Sequence, residues 1–413
     1  MANVLDYYDE SRGERVELGS GAQRFWRSAL VAGIIALAVS VGLGYLADPT
    51  LRRFYVAYLV SYCFFLTVSL GGLFFALLQH VSRAGWSVCV RRIAEALAAT
   101  MPVLAILALP IAIAVLARQG QLYSWAQDGG DGLSPAKRAY LNPAFFLVRL
   151  AICLGVWSAL GVWYWRKSTT QDVSGEQQLT SRMEAVSSPA MVAYAITVTV
   201  AAYDLLMSLD PHWFSTIFGV YIFAGAAVGS YAAIVLVLAI LQRLGLLVMS
   251  VTREHYHDLG KFLFGFVFFW GYIAFSQYML IWYANIPAET AWLARRGATT
   301  APGAANGWSV IAIMLLFGAL LVPFAGLMSR RVKRNARAMV FWAVWLLVFH
   351  WLDLLWIAGC EVDGRVHLGL TEIAAFVGVG GIFAAAFVRR LAQRALRPLR
   401  DPRLEESLAF ENV

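Results

Sequence analysis

The sequence predicts an all-α integral membrane protein with about ten transmembrane helices. Of its 413 residues, 60% are hydrophobic and only 14% are charged, whereas soluble domains carry about 25% charged residues. Ten stretches are long and apolar enough to cross a hydrocarbon core about 30 Å thick, which takes a helix of about 20 residues. None has the short alternating pattern of a transmembrane β-barrel.

The ten predicted spans, numbered 1 to 10, follow one another with short connections. They cover residues 25–46, 54–80, 92–117, 142–166, 189–209, 212–243, 258–286, 308–329, 338–360 and 370–390. Residues 1–24 form a polar, acid-rich arm without the features of a cleavable signal peptide, residues 25–392 the membrane domain, and residues 393–413 a tail. The connections are too short to fold alone, so we expect function to belong to the helices or to partner proteins.

The basic residues lie mostly on one side of the predicted membrane. Of the 33 Lys and Arg residues, 24 flank the spans on the side that holds both termini and 8 flank them on the other side. Cytoplasmic loops carry such an excess, so we expect both termini in the cytoplasm. The net charge of +8 is thereby explained by topology and predicts no nucleic-acid partner.

A weak internal repeat suggests how the spans are arranged. Residues 54–80 and 213–243 both begin with aromatic residues, carry small residues midway and end in Leu-Gln followed by His80 or Arg243. Small residues at mid-span let helix backbones approach closely. We therefore expect two four-helix bundles, spans 2–5 and spans 6–9, flanked by spans 1 and 10.

Ionisable residues inside the spans are the candidate functional residues, because an unpaired charge in hydrocarbon costs several kcal/mol. The candidates for a proton pathway are Asp204, His350, Asp353, His80, Glu95, Arg149 and Glu372. His350 and Asp353 are three residues apart and therefore share one helix face. The sequence leaves open whether Arg149 pairs with Asp204 or with Asp353.

The remaining polar and sulfur-containing residues have simpler expected roles. Asp210 is expected to shape the turn before span 6 or to cap that span, and His212 to lie at the membrane interface. His255, His257 and Lys261 are expected to reach the lipid headgroups. The four cysteines lack a CxxC motif and are expected to be small buried side chains. Only His350 lies deep, so no pair of haem ligands is visible, and we expect no metal or cofactor in this chain.

Four stretches resemble one family of respiratory membrane subunits. They are YDLLMSLDPHWFSTIFGVYIFAG (203–225), FSQYMLIWYANIPAETAW (275–292), SYCFFLTVSLGGLFFALLQHVSRAGWSVCVRRIAEA (61–96) and FHWLDLLWIAG (349–359). With them, residues 54–360 resemble the ActF-type subunit of bacterial alternative complex III, a quinol:electron-acceptor oxidoreductase. This subunit is the second NrfD-like, or polysulfide-reductase-like, membrane subunit of that complex. Past Ile357 the chain departs from the expected proline-containing apolar exit and reads AGCEVDGRVHLG.

The resemblance implies ten spans in two four-helix bundles, in a bacterial inner (cytoplasmic) membrane, with both termini cytoplasmic. It implies four kinds of partner: a paralogous NrfD-like membrane subunit, a periplasmic iron–sulfur subunit, multihaem cytochrome c subunits and small membrane anchor subunits. Quinol or menaquinol, the iron–sulfur clusters and the c-type haems then belong to those partners. In this family the paralogue is regarded as the main site of quinol oxidation, and the second subunit is suspected of carrying protons through polar half-channels.

Three functions remain open at this point. The first is a scaffolding and proton-conducting subunit of the quinol-oxidising complex. The second is the quinol-binding and quinol-oxidising subunit itself, in which His350 and Asp353 take protons from the quinol hydroxyls as general bases. The third is a secondary transporter, which needs helices broken near the midplane at matching positions. Pro102 and Pro110 in span 3 and Pro323 in span 8 are not matched in this way.

Overall fold

A computed structural model confirms an all-α membrane protein with the predicted spans. It describes residues 8–9, 14–127, 132–298, 306–362 and 364–412. Within these residues, ten helical spans are long and apolar enough to cross a membrane. The described strands, Tyr8–Asp9 and Glu14–Arg15, pair antiparallel in one short ribbon.

Eight of the spans are single helices and two are broken. Spans 1, 2, 4, 5, 6, 7, 9 and 10 are Gly21–Ala47, Arg52–Val81, Pro143–Ser174, Gln178–Leu205, Phe218–Arg243, Arg253–Ala284, Ala336–Ala358 and Leu370–Leu391. Span 3 consists of Val88–Ala98, Met101–Leu107 and Leu109–Leu116, and span 8 of Gly307–Leu315, a π-helical segment Leu316–Leu321, and Val322–Met328. Pro102 and Pro110 account for the breaks in span 3, because proline lacks an N–H and clashes with the preceding turn.

Short helices and turns lie between the spans. The short helices are Pro135–Tyr140, Pro287–Arg295, Arg330–Lys333 and Leu404–Leu408, and the 3-10 turns are Gly85–Ser87, Ser124–Ala126, Met207–Leu209 and Gly359–Glu361. The largest boundary differences are at the end of span 4 and the start of span 5, where the helices continue through polar sequence that a hydropathy pattern does not detect. Gly175, with a φ of 70°, ends span 4 in the left-handed conformation.

Spans 2–5 pack as one four-helix bundle and spans 6–9 as another, as predicted. Spans 2 and 6 make the main contact between the bundles. At this crossing a Cβ on Gly71 would lie 2.3 Å from the backbone oxygen of Ala226, so only glycine allows the backbones to come this close. Spans 1 and 10 pair with each other beside span 2, and Gly33 packs there against the backbone of Gly378.

The N-terminal arm from Glu14 and the C-terminal tail up to Asn412 lie on one face of the molecule, which we call the terminal face; the opposite one is the far face. The backbone N–H of Leu396 donates to Val16 O at 2.8 Å. The carboxylate of Glu14 accepts from the N–H groups of Met249 at 2.6 Å and Ser250 at 3.1 Å. This part of the N-terminal arm therefore lies against the connection between spans 6 and 7 of its own chain.

The C-terminal tail also packs onto the terminal face. Ser407 Oγ donates to Trp86 O at 2.7 Å, accepts from Cys89 N at 3.1 Å and lies 3.2 Å from His255 Nε2. His255 Nδ1 accepts from Thr252 N at 3.1 Å and so caps span 7. The prediction that His255 reaches the lipid headgroups is therefore wrong, because the tail covers it.

Candidate functional site

The centre of the candidate site is a buried carboxyl group on span 9. Asp353 Oδ1 accepts a hydrogen bond from the Tyr221 hydroxyl of span 6, and Oδ2 accepts one from Trp270 Nε1 of span 7 at 3.3 Å. Asp353 is only 3% exposed, and no described residue forms an ion pair with it. Because both hydrogen-bond partners are neutral, no charged group in contact compensates an ionised Asp353.

His350 lies one helical turn from Asp353 towards the terminal face. Its Nε2 is 2.8 Å from Thr67 Oγ1 of span 2. The same hydroxyl lies 2.8 Å from Cys63 O and 2.9 Å from Phe64 O. When the single hydroxyl hydrogen goes to one of these carbonyls, Nε2 must carry the ring hydrogen and donate to Thr67. Nδ1 of the neutral ring is then the atom that can accept a proton.

Two glycines of span 6 make room for the His350 ring. A Cβ on Gly225 would lie 3.3 Å from Nδ1, and a Cβ on Gly229 would lie 2.9 Å from Cδ2. The ring borders a cavity of about 20 Å³ that is also lined by Asp353, a volume that holds one water molecule. The π-helical segment of span 8 brings Ala319 to the wall of this cavity; such segments are frequent at functional sites. A space of one water molecule therefore borders both the imidazole and the carboxyl group.

Arg149 pairs with Asp204 and not with Asp353. Its Nε lies 2.8 Å from Oδ2 and its second terminal nitrogen 2.9 Å from Oδ1 of the carboxylate. The guanidinium also lies 3.8 Å from the ring centre of Tyr140 and 4.2 Å from that of Phe145. Burial, together with the nearby charge of Asp204, raises the pKa of Tyr140 to about 12. Asp204 is thus a buried carboxylate with a fully engaged cation beside it.

Glu372 is bound in a similar way at the start of span 10. Arg53 of span 2 donates to its two carboxylate oxygens at 2.8 and 2.9 Å. The backbone N–H of Gly369 donates to Oε2 at 2.8 Å. Glu372 therefore caps its own helix and joins span 10 to the far-face end of span 2.

The turn before span 6 is held by the connection between spans 7 and 8. Asp210 accepts from His212 N at 3.1 Å, as expected of a residue that shapes the turn, and forms an ion pair with Arg295. The rings of Trp213 and Trp292 stack with their centres 4.1 Å apart. The turn therefore links the two bundles at the far face.

The unexpected sequence after Ile357 has a structural explanation. Glu361 lies 2.9 Å from a terminal nitrogen of Arg296 and 3.9 Å from one of Arg295. Burial alone would lower the pKa of Arg295. The nearby charges of Glu361 and Asp210 raise it by more, so the pKa of Arg295 lies above its usual value. Arg296 also donates to Ile357 O at 2.6 Å. The acid in this stretch thus supplies the counter-charge of Arg296 and adds to that of Arg295, which Asp210 also binds.

Glu95 belongs to a buried ion-pair network near the terminal face. Its carboxylate lies 3.2 Å from Arg91 and 3.4 Å from Arg92. Arg92 also binds Asp172 of span 4 at 2.7 Å, and Arg91 binds Asp401 of the tail at 2.5 Å. Three carboxylates therefore share two guanidinium groups in direct contact. Sequence reasoning assigned both arginines to topology and missed this network.

His80 lies at the terminal-face end of span 2. It is 1% exposed, and its Nε2 makes no hydrogen bond to a described residue. The ring centre lies 5.4 Å from that of Tyr164. The amide of the neighbouring Gln79 is also buried without a hydrogen bond to a described residue. This end of the span therefore holds polar groups that can still take a hydrogen bond.

Hydroxyl groups lie between the His350 region and the Glu95 network. Ser69 Oγ of span 2 is 2.7 Å from Thr100 Oγ1 of span 3. Ser230 and Tyr231 of span 6 have buried hydroxyls without a hydrogen bond to a described residue. Among the described residues, no continuous series of hydrogen bonds joins these groups, but each can take a further hydrogen bond from a bridging proton carrier.

The sequence did not indicate the partners of the central pair. Tyr221, Trp270 and Thr67 contact Asp353 or His350 directly. Aromatic and hydroxyl residues are common in membrane helices, and their own sequence context gives no signal that separates these three from the rest.

Comparison with known proteins adds no identification. No protein-family profile matches the chain, and no curated protein matches it significantly. In the part of the chain that the structure describes, no three His, Cys, Asp or Glu side chains are grouped as ligands of a metal ion. The family resemblance and the expected partners therefore stay predictions that rest on the residues quoted above.

Proposed function

We propose that this chain is a scaffolding and proton-conducting membrane subunit of an alternative complex III, of the ActF type, in a bacterial inner membrane. The observation that carries the proton role is the environment of Asp353. This buried carboxyl group has neutral partners only, and His350 lies one turn away across a water-sized cavity. A group of this kind can gain or lose a proton without breaking an ion pair.

The proposed route begins at the far face, which faces the periplasm in this proposal. Arg296 donates to Ile357 O, and Ile357 lies about 6 Å beyond Asp353 along the helix. The proton passes from Asp353 across the cavity to His350. The step between Asp353 and His350 needs one water molecule and no movement of a helix.

The second half of the route leads to the terminal face. From His350 it follows Thr67 and the hydroxyl pair of Ser69 and Thr100. Thr100 lies at the break of span 3, and Glu95 belongs to the preceding helix, Val88–Ala98, on its terminal-face side. Glu95 shares two guanidinium groups with two other carboxylates. One of these carboxylates can therefore take up a proton and release it again without leaving a guanidinium unpaired. His80, with its uncommitted Nε2, lies at the same end of the bundle.

The remaining candidate residues have stabilising roles in this proposal. Asp204 with Arg149 and Glu372 with Arg53 form doubly hydrogen-bonded pairs. A proton on Asp204 would leave the buried guanidinium of Arg149 without its counter-charge, and a proton on Glu372 would weaken its two charge-assisted hydrogen bonds with Arg53; both are costly. We therefore assign both pairs to fixing the far-face ends of their helices.

The geometry favours this role over the two alternatives. A small-molecule pocket occupies about 300 Å³ or more, whereas the cavity beside His350 and Asp353 has about 20 Å³. A quinol ring therefore has no room beside the pair. A transporter would need matching broken helices, but the breaks lie in the second span of one bundle and the third span of the other.

Membership of the complex is tested by purification of the tagged chain from its native membrane in mild detergent. We expect c-type cytochromes detected by haem staining, an iron–sulfur protein, a paralogous membrane subunit and small anchor subunits in the same fraction. A lone, active oligomer would contradict the proposal. In the same preparation, Asp353→Asn should leave the quinone content unchanged; loss of bound quinone would favour the quinol-oxidising alternative.

A further inference from the structure

A basic groove lies on the terminal face between the start of span 7 and the connection between spans 8 and 9. It has a volume of about 690 Å³, and its walls are formed by Arg253, Glu254, Arg331, Arg334, Asn335, Ala336 and Arg337. We call it the basic groove. It lies outside the proton route and outside every ion pair assigned above.

The charges in the basic groove are not balanced. Arg334 binds the only acid in its walls, with its Nε 3.3 Å from Glu254 Oε2. The other three arginines, Arg253, Arg331 and Arg337, are exposed and form no ion pair with a described residue. The groove therefore has an excess of three positive charges in its walls.

Two helix N-termini add to this positive potential. Span 7 begins at Arg253 and span 9 at Ala336, and both residues line the groove. The N-terminal end of a helix carries a partial positive charge, which carboxylates usually compensate in the first turn. Here Arg253 and Arg337 lie in the two first turns, and Glu254, which is bound to Arg334, is the only acid in either of them. The groove is therefore complementary to an anion, and best to one with more than a single charge.

An apolar stripe continues from the basic groove along span 9. Phe341, Val344 and Val348 follow Arg337 at helical spacing, and they are 54%, 46% and 50% exposed. We call these three residues the apolar stripe. The stripe runs from the groove towards the middle of the span, where lipid chains surround a membrane protein. A soluble anion makes no use of such a surface, whereas a lipid acyl chain does.

We propose that the basic groove binds the headgroup of an anionic phospholipid, with one acyl chain along the apolar stripe. The three exposed arginines would donate to the phosphate oxygens, since the planar guanidinium matches phosphate geometry. The excess of three charges fits a headgroup with two phosphates better than a headgroup with one. The lipid would fix the connection between spans 8 and 9 against the start of span 7.

The test is a lipid titration of the purified full-length protein, or of the complex that contains it, in mild detergent. The probes are a diphosphatidyl lipid, phosphatidylglycerol, phosphatidylcholine and inorganic phosphate, each followed by native mass spectrometry. The variant is Arg331→Gln with Arg337→Gln. The matched control is Arg182→Gln with Arg394→Gln, which removes two exposed arginines of the same face outside the groove.

We expect the diphosphatidyl lipid to bind most tightly, and the groove variant to lose about 30-fold in affinity for it. The control should bind like the unaltered protein. Equal loss in the control would overturn the proposal, because attraction would then be a property of the whole face. Unchanged binding by the groove variant would overturn it as well.

A second variant separates a lipid from a free phosphate. Phe341→Ala should weaken binding of the long-chain lipid and leave binding of a short-chain analogue with the same headgroup unchanged. Inorganic phosphate should not compete at the concentration of the lipid. Phosphate competing as well as the lipid would contradict the role of the apolar stripe and reduce the groove to a site for small anions.

Discussion

Asp204 and Asp353 are both buried carboxyl groups in the far-face halves of their spans, but their surroundings differ in one respect. Arg149 binds both oxygens of Asp204, whereas Tyr221 and Trp270 bind those of Asp353. The first carboxylate therefore has a cation bound to both of its oxygens, and the second has no charged group in contact. Burial alone thus does not identify a functional acid; the identity of its hydrogen-bond donors does.

The same distinction separates the remaining acids. Both oxygens of Glu372 accept hydrogen bonds from one arginine, Arg53, while Glu95 shares Arg91 and Arg92 with two further carboxylates. An acid that shares its cations can be neutralised without leaving an arginine alone. We therefore expect Glu95 to gain and lose a proton more readily than Asp204, as we expect of Asp353, although Glu95 takes part in ion pairs.

Replacing each of these carboxylates by the corresponding amide tests whether the bound cation distinguishes the acids. The largest effect is expected for Asp204→Asn. It leaves the guanidinium of Arg149 buried without a counter-charge, which costs about 3–5 kcal/mol. The expected result is a strongly lowered midpoint of thermal unfolding in detergent. As a control, Arg149→Met combined with Asp204→Leu removes both charges and should recover most of the loss; a single variant as stable as the unaltered protein would contradict the pairing.

An intermediate effect is expected for Glu372→Gln. The change removes a charge-assisted pair with Arg53, worth about 1.5–3 kcal/mol. The side chain of Arg53 is 23% exposed, so that its charge can still reach water. The unfolding midpoint should therefore fall less than for Asp204→Asn. A larger fall than at Asp204 would mean that solvent access does not set the cost of these pairs.

The smallest effect on stability is expected for Asp353→Asn. The amide oxygen can accept from Trp270, and the amide nitrogen can donate to the Tyr221 hydroxyl, which turns to accept. No charge is left alone, so the change in stability should stay within about 1 kcal/mol. Unfolding in detergent measures it beside the other two variants. A loss as large as that of Asp204→Asn would reveal a cation near Asp353 and remove the basis of the comparison.

The spans and their division into two bundles could be predicted because both depend on local sequence. Runs of apolar residues determine the spans, and small residues such as Gly71 mark where helices cross closely. The ion pairs could not be predicted in the same way. The sequence offered Asp204 and Asp353 as partners of Arg149. Only the packing of spans 4 and 5 shows that Arg149 pairs with Asp204. Asp401 lies 310 residues from Arg91, so no spacing rule connects them.

The hydrogen-bond donors to Asp353 could not be predicted from the sequence, for a different reason. Tyr221 and Trp270 are ordinary residues of apolar helices, and they become hydrogen-bond donors to Asp353 only because spans 6, 7 and 9 meet at one place. The spacing of His350 and Asp353 did predict that both line the same space. Among the described residues, no cation lies in that space. This depends on how the helices pack, and the spacing of residues along the sequence does not predict it.

The most direct test of the proton role is the number of protons transferred per electron by the complex in proteoliposomes. Asp353→Asn and His350→Phe each remove a proton-accepting group from the proposed route, and Glu372→Gln is the control at an arginine-paired acid. We predict that all three variants assemble and transfer electrons from quinol to the acceptor in detergent. In proteoliposomes the first two should give fewer protons per electron, and the control should keep the ratio of the unaltered complex. An unchanged ratio in both Asp353→Asn and His350→Phe would contradict the proposal that this pair conducts protons.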